Sequence, residues 1–68
     1  MEICDALKRF REVHNLTQKA VADSIGIKVP AYQRYEYGKV VPSAQVIKEI
    51  ANSFHVSADY LLGRSDEP

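Results

Sequence analysis

Cysteine occurs once in this sequence, at Cys4, so no disulfide can form within the chain. That fits a reducing compartment, and Cys4 reads as ordinary packing rather than a redox group. No apolar run approaches the ~18 residues that a membrane span needs. The start is acidified by Glu2 and Asp5 with no apolar stretch behind them, so no secretory leader is expected and the cytoplasm is the expected location. There is no repeat and no low-complexity stretch, and Gly and Pro number only three each. At 68 residues there is material for one domain near the lower limit of an independent core. That leaves room for one packed layer of short elements and hardly any for a substrate cleft.

Net charge is also lacking, at +0. The strongly basic balance that marks many polyanion binders is therefore absent. The charges are nevertheless sorted along the chain. Residues 8–39 hold seven cations (Lys8, Arg9, Arg11, Lys19, Lys28, Arg34 and Lys39) against Glu12, Asp23 and Glu36. Residues 1–7 and 40–68 are each net acidic, so a basic middle lies between two acidic ends. Such a dipolar layout steers a polyanion toward one face, although ordinary surface charge would look much the same.

What is present is helical periodicity. Ile3, Leu7 and Phe10 recur at helical spacing, which predicts a first helix over 3–13 ended by His14-Asn15. Thr17 is an N-cap type, and a second helix is expected over 18–24, broken by Gly26. A third is expected over 30–37, stopped by Gly38. Ser43 caps a fourth over 44–54, with Val46, Ile47, Ile50, Ala51 and Phe54 on one face. Ser57 caps a short fifth over 58–62, ended by Gly63. Period-2 alternation is nowhere sustained, so no sheet is expected. Residues 1–63 then form the domain and 64–68 a polar tail or the start of a linker.

The informative stretch is 17–38, a capped short helix, a glycine turn, a second short helix and a glycine stop. Two helices joined by a tight turn of this kind form a helix-turn-helix. By spacing, Tyr32, Tyr35 and Glu36 face inward in the second of these helices. Pro30, Gln33, Arg34 and Tyr37 face outward at i, i+3, i+4 and i+7. An outer stripe carrying an amide, a guanidinium and a phenol suits the major groove of duplex DNA, which admits one helix.

The run Leu16-Thr17-Gln18, then Ala22, Gly26-Ile27, Tyr35-Glu36-x-Gly38-Lys39 and Pro42-Ser43, resembles the phage-repressor and Cro helix-turn-helix family, the xenobiotic-response-element type of transcriptional regulator. Ala51-x-x-Phe54-x-Val56-Ser57-x-x-Tyr60-Leu61-Leu62-Gly63 resembles the end of the same domain. The resemblance implies an all-α, compact five-helix lambda-repressor-like domain that binds operator DNA, most often to repress transcription, without a cofactor or metal. It implies that Thr17 caps a helix whose first N–H groups also face phosphate, that Gln18 contacts phosphate and braces the recognition helix, and that Lys39 holds the backbone. It implies that Gln33 and Arg34 face base edges, Arg suiting guanine and Gln adenine. Arg11 and Glu36 fall where the family has a partly buried ion pair, read here as structural. A homodimer on a palindromic operator follows from the same likeness, with a pairing surface around Tyr60 and Leu62.

The sequence departs from that pattern at the start of the third helix. Lys28 stands where a capping Ser or Thr is usual, and the next residues are apolar, Val29 and Pro30. Proline biases its predecessor away from helical geometry, which puts the expected start at Pro30. Lys28 remains in reach of phosphate, and Val29 and Pro30 are placed to touch thymine methyls or to touch nothing. Tyr37 is an additional donor. The same apolar start and the zero net charge favour an alternative, a protein-interaction or antitoxin-like module on the same fold, and a protein partner or a C-terminal domain stays open. His14 and His55 stand alone and read as helix-end groups rather than metal ligands. No Ser, His and Asp spacing offers a catalytic arrangement, so an enzyme is not expected.

Overall fold

The computed structural model describes residues 1–68 as five α-helices and no strand. These are α1 (Ile3–Val13), α2 (Gln18–Ser24), α3 (Val29–Glu36), α4 (Ala44–Phe54) and α5 (Ala58–Leu61). Three starts carry a hydroxyl cap. Thr17 Oγ1 accepts from the N–H of Ala20 at 3.0 Å, Ser43 Oγ from Val46 at 3.2 Å and Ser57 Oγ from Tyr60 at 3.1 Å. Each satisfies a donor that the first helical turn leaves unbonded and contributes about 1 kcal/mol. The connections are tight because the chain reverses through left-handed residues. Asn15 (φ 55°) follows α1 and His55 (φ 56°) follows α4, residue types for which this region is uncommon but reachable with a polar side chain. Gly26 (φ 71°) turns α2 toward α3, and the N–H of Ile27 bonds back to the carbonyl of Ala22 at 3.0 Å.

α3 begins one residue earlier than its sequence predicts. Lys28 is the N-cap in extended geometry and its side chain accepts no cap bond, Val29 opens the helix, and Pro30 follows inside the first turn. A missing N–H is harmless there, because the first-turn donors have no intrahelical partner in any case. Proline's bias on Val29 is overridden by packing, since Val29 is half-buried against the core. The helix also ends one residue early, at Glu36, with Tyr37 as its C-cap. α5 likewise stops at Leu61, and Leu62 is its C-cap.

The core draws on every helix. Leu7 and Phe10 of α1, Val21 and Ala22 of α2, Tyr32 of α3, Ile47 and Ile50 of α4, and Tyr60 and Leu61 of α5 pack together with Val56. Phe10 meets Phe54 edge-on at 5.3 Å between centroids, a favourable aromatic geometry. His14 lies against Phe10, and its Nδ1 is 2.9 Å from the Phe10 carbonyl oxygen. Both histidines are helix C-caps.

Residues 64–68 contain no helix, yet they lie against the domain. Arg9 Nη1 donates to Asp66 Oδ1 at 2.8 Å. Its Nη2 donates to the carbonyls of Ser65 at 2.8 Å and Tyr60 at 3.0 Å. The guanidinium sits 4.3 Å from the centre of the Tyr60 ring, in cation–π range. The N–H of Ser57 donates to the carbonyl of Pro68 at 3.1 Å, which folds the segment back over the start of α5.

Candidate nucleic-acid interface

The inner side of α3 is fixed by a buried ion pair. Arg11 reaches from α1 and grips Glu36 with both edges of its fork: Nε to Oε2 at 2.7 Å and Nη2 to Oε1 at 3.0 Å. Its third nitrogen, Nη1, donates to the carbonyl of Leu16 at 3.2 Å, which ties the α1–α2 turn to the same charge. The Glu36 side chain has no exposed surface, and that of Arg11 keeps 19%. Charge-assisted bidentate pairs are the strong class of hydrogen bond, and the geometry also fixes how α3 sits on α1. The buried Tyr32 hydroxyl lies beside the same carboxylate without forming a well-aligned hydrogen bond. Burial, then the neighbouring anion, raise its pKa well above the ordinary value.

Burial alone would push the Glu36 carboxyl upward. The hydrogen bonds from Arg11 and Gln18, the neighbouring Tyr32 hydroxyl and the Arg11 charge outweigh it and hold the carboxyl below its ordinary 4.5. The bond to Glu36 in turn raises the Arg11 pKa. Because the folded pKa of Glu36 is lowered, the unfolded chain takes up its proton first on acidification. The stability this group contributes is complete above its ordinary value and is lost as pH falls through the lowered one. Urea midpoints of wild type should therefore drop steeply in acid, whereas Glu36→Gln, with no proton to gain, should start lower and show a shallower acid limb.

A chain of amides runs outward from this pair. Gln18 Nε2 donates to Glu36 Oε1 at 3.2 Å, and Gln33 Nε2 donates to Gln18 Oε1 at 2.9 Å. Both glutamines are half-buried, so the chain leads from the core to the surface of α3. Beyond it the outer face carries Pro30, Arg34 and Tyr37, all exposed, Tyr37 to 58%. Lys28 and Lys39 flank the helix, also exposed. Arg34, Lys28 and Lys39 make no ion pair, whereas Asp23 is held by Lys19 at 2.6 Å and Glu36 by Arg11. The uncompensated charge on and beside α3 is thus positive. Thr17 sits at the start of α2 with its hydroxyl engaged as the cap.

The structure thus brings Gln18 and Gln33 into contact and leaves Pro30, Arg34, Tyr37, Lys28 and Lys39 accessible. Val29 differs, since part of its surface packs on the core. Tyr60 is corrected more sharply. It is 2% exposed beneath Arg9 and offers no pairing surface, which leaves Leu62 as the accessible member of that pair. Sequence reasoning missed Arg9, whose partners lie 51 to 57 residues away; for Gln18 the resemblance implied a brace on the recognition helix without naming Gln33, 15 residues on, as the side chain it meets. No local pattern announces such contacts.

The model of the helix-turn-helix family matches residues 7–61, and the chain belongs to that family. More particularly, it is similar to bacterial transcriptional regulators. It is 45% identical over 62 residues to the uncharacterized HTH-type transcriptional regulator YqaE of Bacillus subtilis, covering 90% of this chain and 53% of that protein. It is 38% identical over 64 residues to the cryptic phage CTXphi transcriptional repressor RstR of Vibrio cholerae, covering 94% and 57%. The chain thus spans somewhat over half the length of these curated relatives. A crystal structure of a transcriptional regulator from Listeria innocua superposes with a TM-score of 0.81 over 98% of this chain and 63% of that one, at 24% identity, and shares the fold. No helix here is long and apolar enough to cross a membrane.

Proposed function

We propose that this domain binds duplex DNA sequence-specifically with α3 in the major groove, and that it serves a bacterial or phage transcriptional regulator, acting as a repressor in the cytoplasm. The observation that carries the reading is the outer face of α3. Arg34 stands there without a protein partner, Lys28 and Lys39 flank it, and the opposite face is immobilised by Arg11 and Glu36. A helix held rigidly from behind and bearing unpaired donors in front is what base recognition requires. In this reading Gln18, Lys28, Lys39 and Tyr37 contact the backbone. Arg34 takes guanine, Gln33 takes adenine, and Pro30 with the exposed part of Val29 meets thymine methyls. The repressor role is supported by the similarity to RstR.

One such helix covers a half-site, so a symmetric pair of domains on a palindromic operator completes the reading. A groove of about 490 Å³ between α4 and α5 is mostly apolar and includes Leu62, with Pro42, Ala44, Ile47 and Ala51, and it is the surface proposed for pairing.

The test is affinity for random duplex DNA across a salt series, read by fluorescence anisotropy. Log affinity should fall linearly with log salt, because phosphate contacts release counterions, at close to one unit of slope per phosphate neutralised. No binding even at low salt would replace this reading with the interaction module.

A further inference from the structure

A carboxylate can only accept hydrogen bonds, whereas a primary amide can face a neighbour with either end. Glu36 therefore leaves Gln18 no choice. Its Nε2 must turn toward the carboxylate, as it does at 3.2 Å, and Oε1 must then turn toward Gln33. Gln33 must answer that oxygen with a donor, and its Nε2 does so at 2.9 Å. What Gln33 has left is its carbonyl oxygen and one N–H. That pair matches adenine, which presents an N6 amino donor and an N7 acceptor in the major groove. Were the carboxylate a group able to donate, both amides could reverse. Gln33 would then turn its oxygen inward and offer two N–H groups outward, which matches guanine O6 and N7.

We infer that Glu36, besides pairing with Arg11, is a positioning residue for base selection. Through Gln18 it sets which end of the Gln33 amide faces the DNA, and so makes the domain choose adenine over guanine at the base pair beneath Gln33. This rests on the DNA-binding reading above and deepens it. The arrangement carries a chemical preference from a buried charge to the surface through two hydrogen bonds, with no movement of the backbone.

The experiment is selection from a randomised duplex library by wild type, Glu36→Gln and Gln18→Met, with the enriched pools sequenced and the base preference at each position compared. In wild type, adenine should be preferred over guanine at one base pair by about tenfold or more, the range of a good bidentate contact. In both variants that preference should fall to about twofold or less, while the guanine preference beneath Arg34 is retained. In a Gln33→Met background, Glu36→Gln should change no further base preference. A merely structural role for Glu36 would instead weaken binding to every sequence alike. Gln18→Met leaves the Arg11–Glu36 bonds in place, so it decides the matter should Glu36→Gln fail to fold. A folded Gln18→Met that keeps the adenine preference overturns the inference, as does a wild type that prefers guanine there. Wild type that binds no duplex at all overturns the DNA-binding reading itself, and is distinguished by needing no variant to see it.

Discussion

Replacing Arg11 by methionine should leave most molecules unfolded at room temperature. Glu36 has no exposed side-chain surface, and Arg11 supplies both of its strongest hydrogen bonds. Removing one partner of such a pair leaves the other desolvated and uncompensated, at about 3–5 kcal/mol. A core of this size rarely provides more than about 3–5 kcal/mol in total, so the loss is comparable to the whole stability. The methionine stem replaces much of the lost packing, which isolates the effect as electrostatic. Arg11→Met with Glu36→Leu removes both charges, and paired removal of buried ions in favour of apolar groups is often neutral or stabilising. The half-buried Gln18 amide and Leu16 carbonyl would each lose a partner too, but the group left fully buried is the Tyr32 hydroxyl, which lies beside that carboxylate. Adding Tyr32→Phe removes it, and the triple variant should recover most of the stability, read as urea midpoints by far-UV circular dichroism. If Arg11→Met alone unfolds at the wild-type midpoint, the pair contributes nothing and α3 is held by its apolar face. Glu36→Gln should be milder than Arg11→Met, because a neutral amide strands no buried anion and Arg11 keeps access to water through its exposed fraction.

How far these features could be read from the sequence differs by scale. The bounds of α1, α2 and α4 follow from apolar spacing closed by Thr17, Ser43 and Asn15, all local chemistry that the structure repeats. α3 is where a local rule failed, because Val29 is drawn into the helix by packing that proline's bias on its neighbour does not foresee. Arg11 and Glu36 were legible only through resemblance, since nothing in a 25-residue separation marks two opposite charges as partners. The Arg9 clamp was not legible at all, and of the amide chain only the bracing of α3 by Gln18 was, again through resemblance. Each depends on side chains meeting across the fold, and a surface Arg looks the same in sequence whether it reaches solvent or the carbonyls of Ser65 and Tyr60. Tyr60 illustrates the reverse error. The resemblance implied a pairing surface around Tyr60 and Leu62, while the structure buries Tyr60 under that Arg.

Arg34 carries the largest expected effect on binding. Its side chain is exposed and makes no hydrogen bond or ion pair within the protein, so Arg34→Ala strands nothing and should change stability by no more than about 0.5 kcal/mol. Its effect on the preferred duplex should nevertheless be about 1–3 kcal/mol, or roughly fivefold to more than a hundredfold in affinity, with guanine preference lost at one base pair. Lys39→Ala should behave differently. A phosphate contact is indifferent to sequence, so affinity should fall evenly on all duplexes and the salt slope should shrink by about one. Arg34→Lys separates charge from shape. It keeps the cation and so should keep the salt slope on random duplex, but it lacks the planar fork and should lose most of the guanine preference. If Arg34→Ala instead retains that preference in full, Arg34 acts as a point charge near the backbone. The bases would then be chosen elsewhere on α3, with Pro30 and Gln33 as the residues left to choose them.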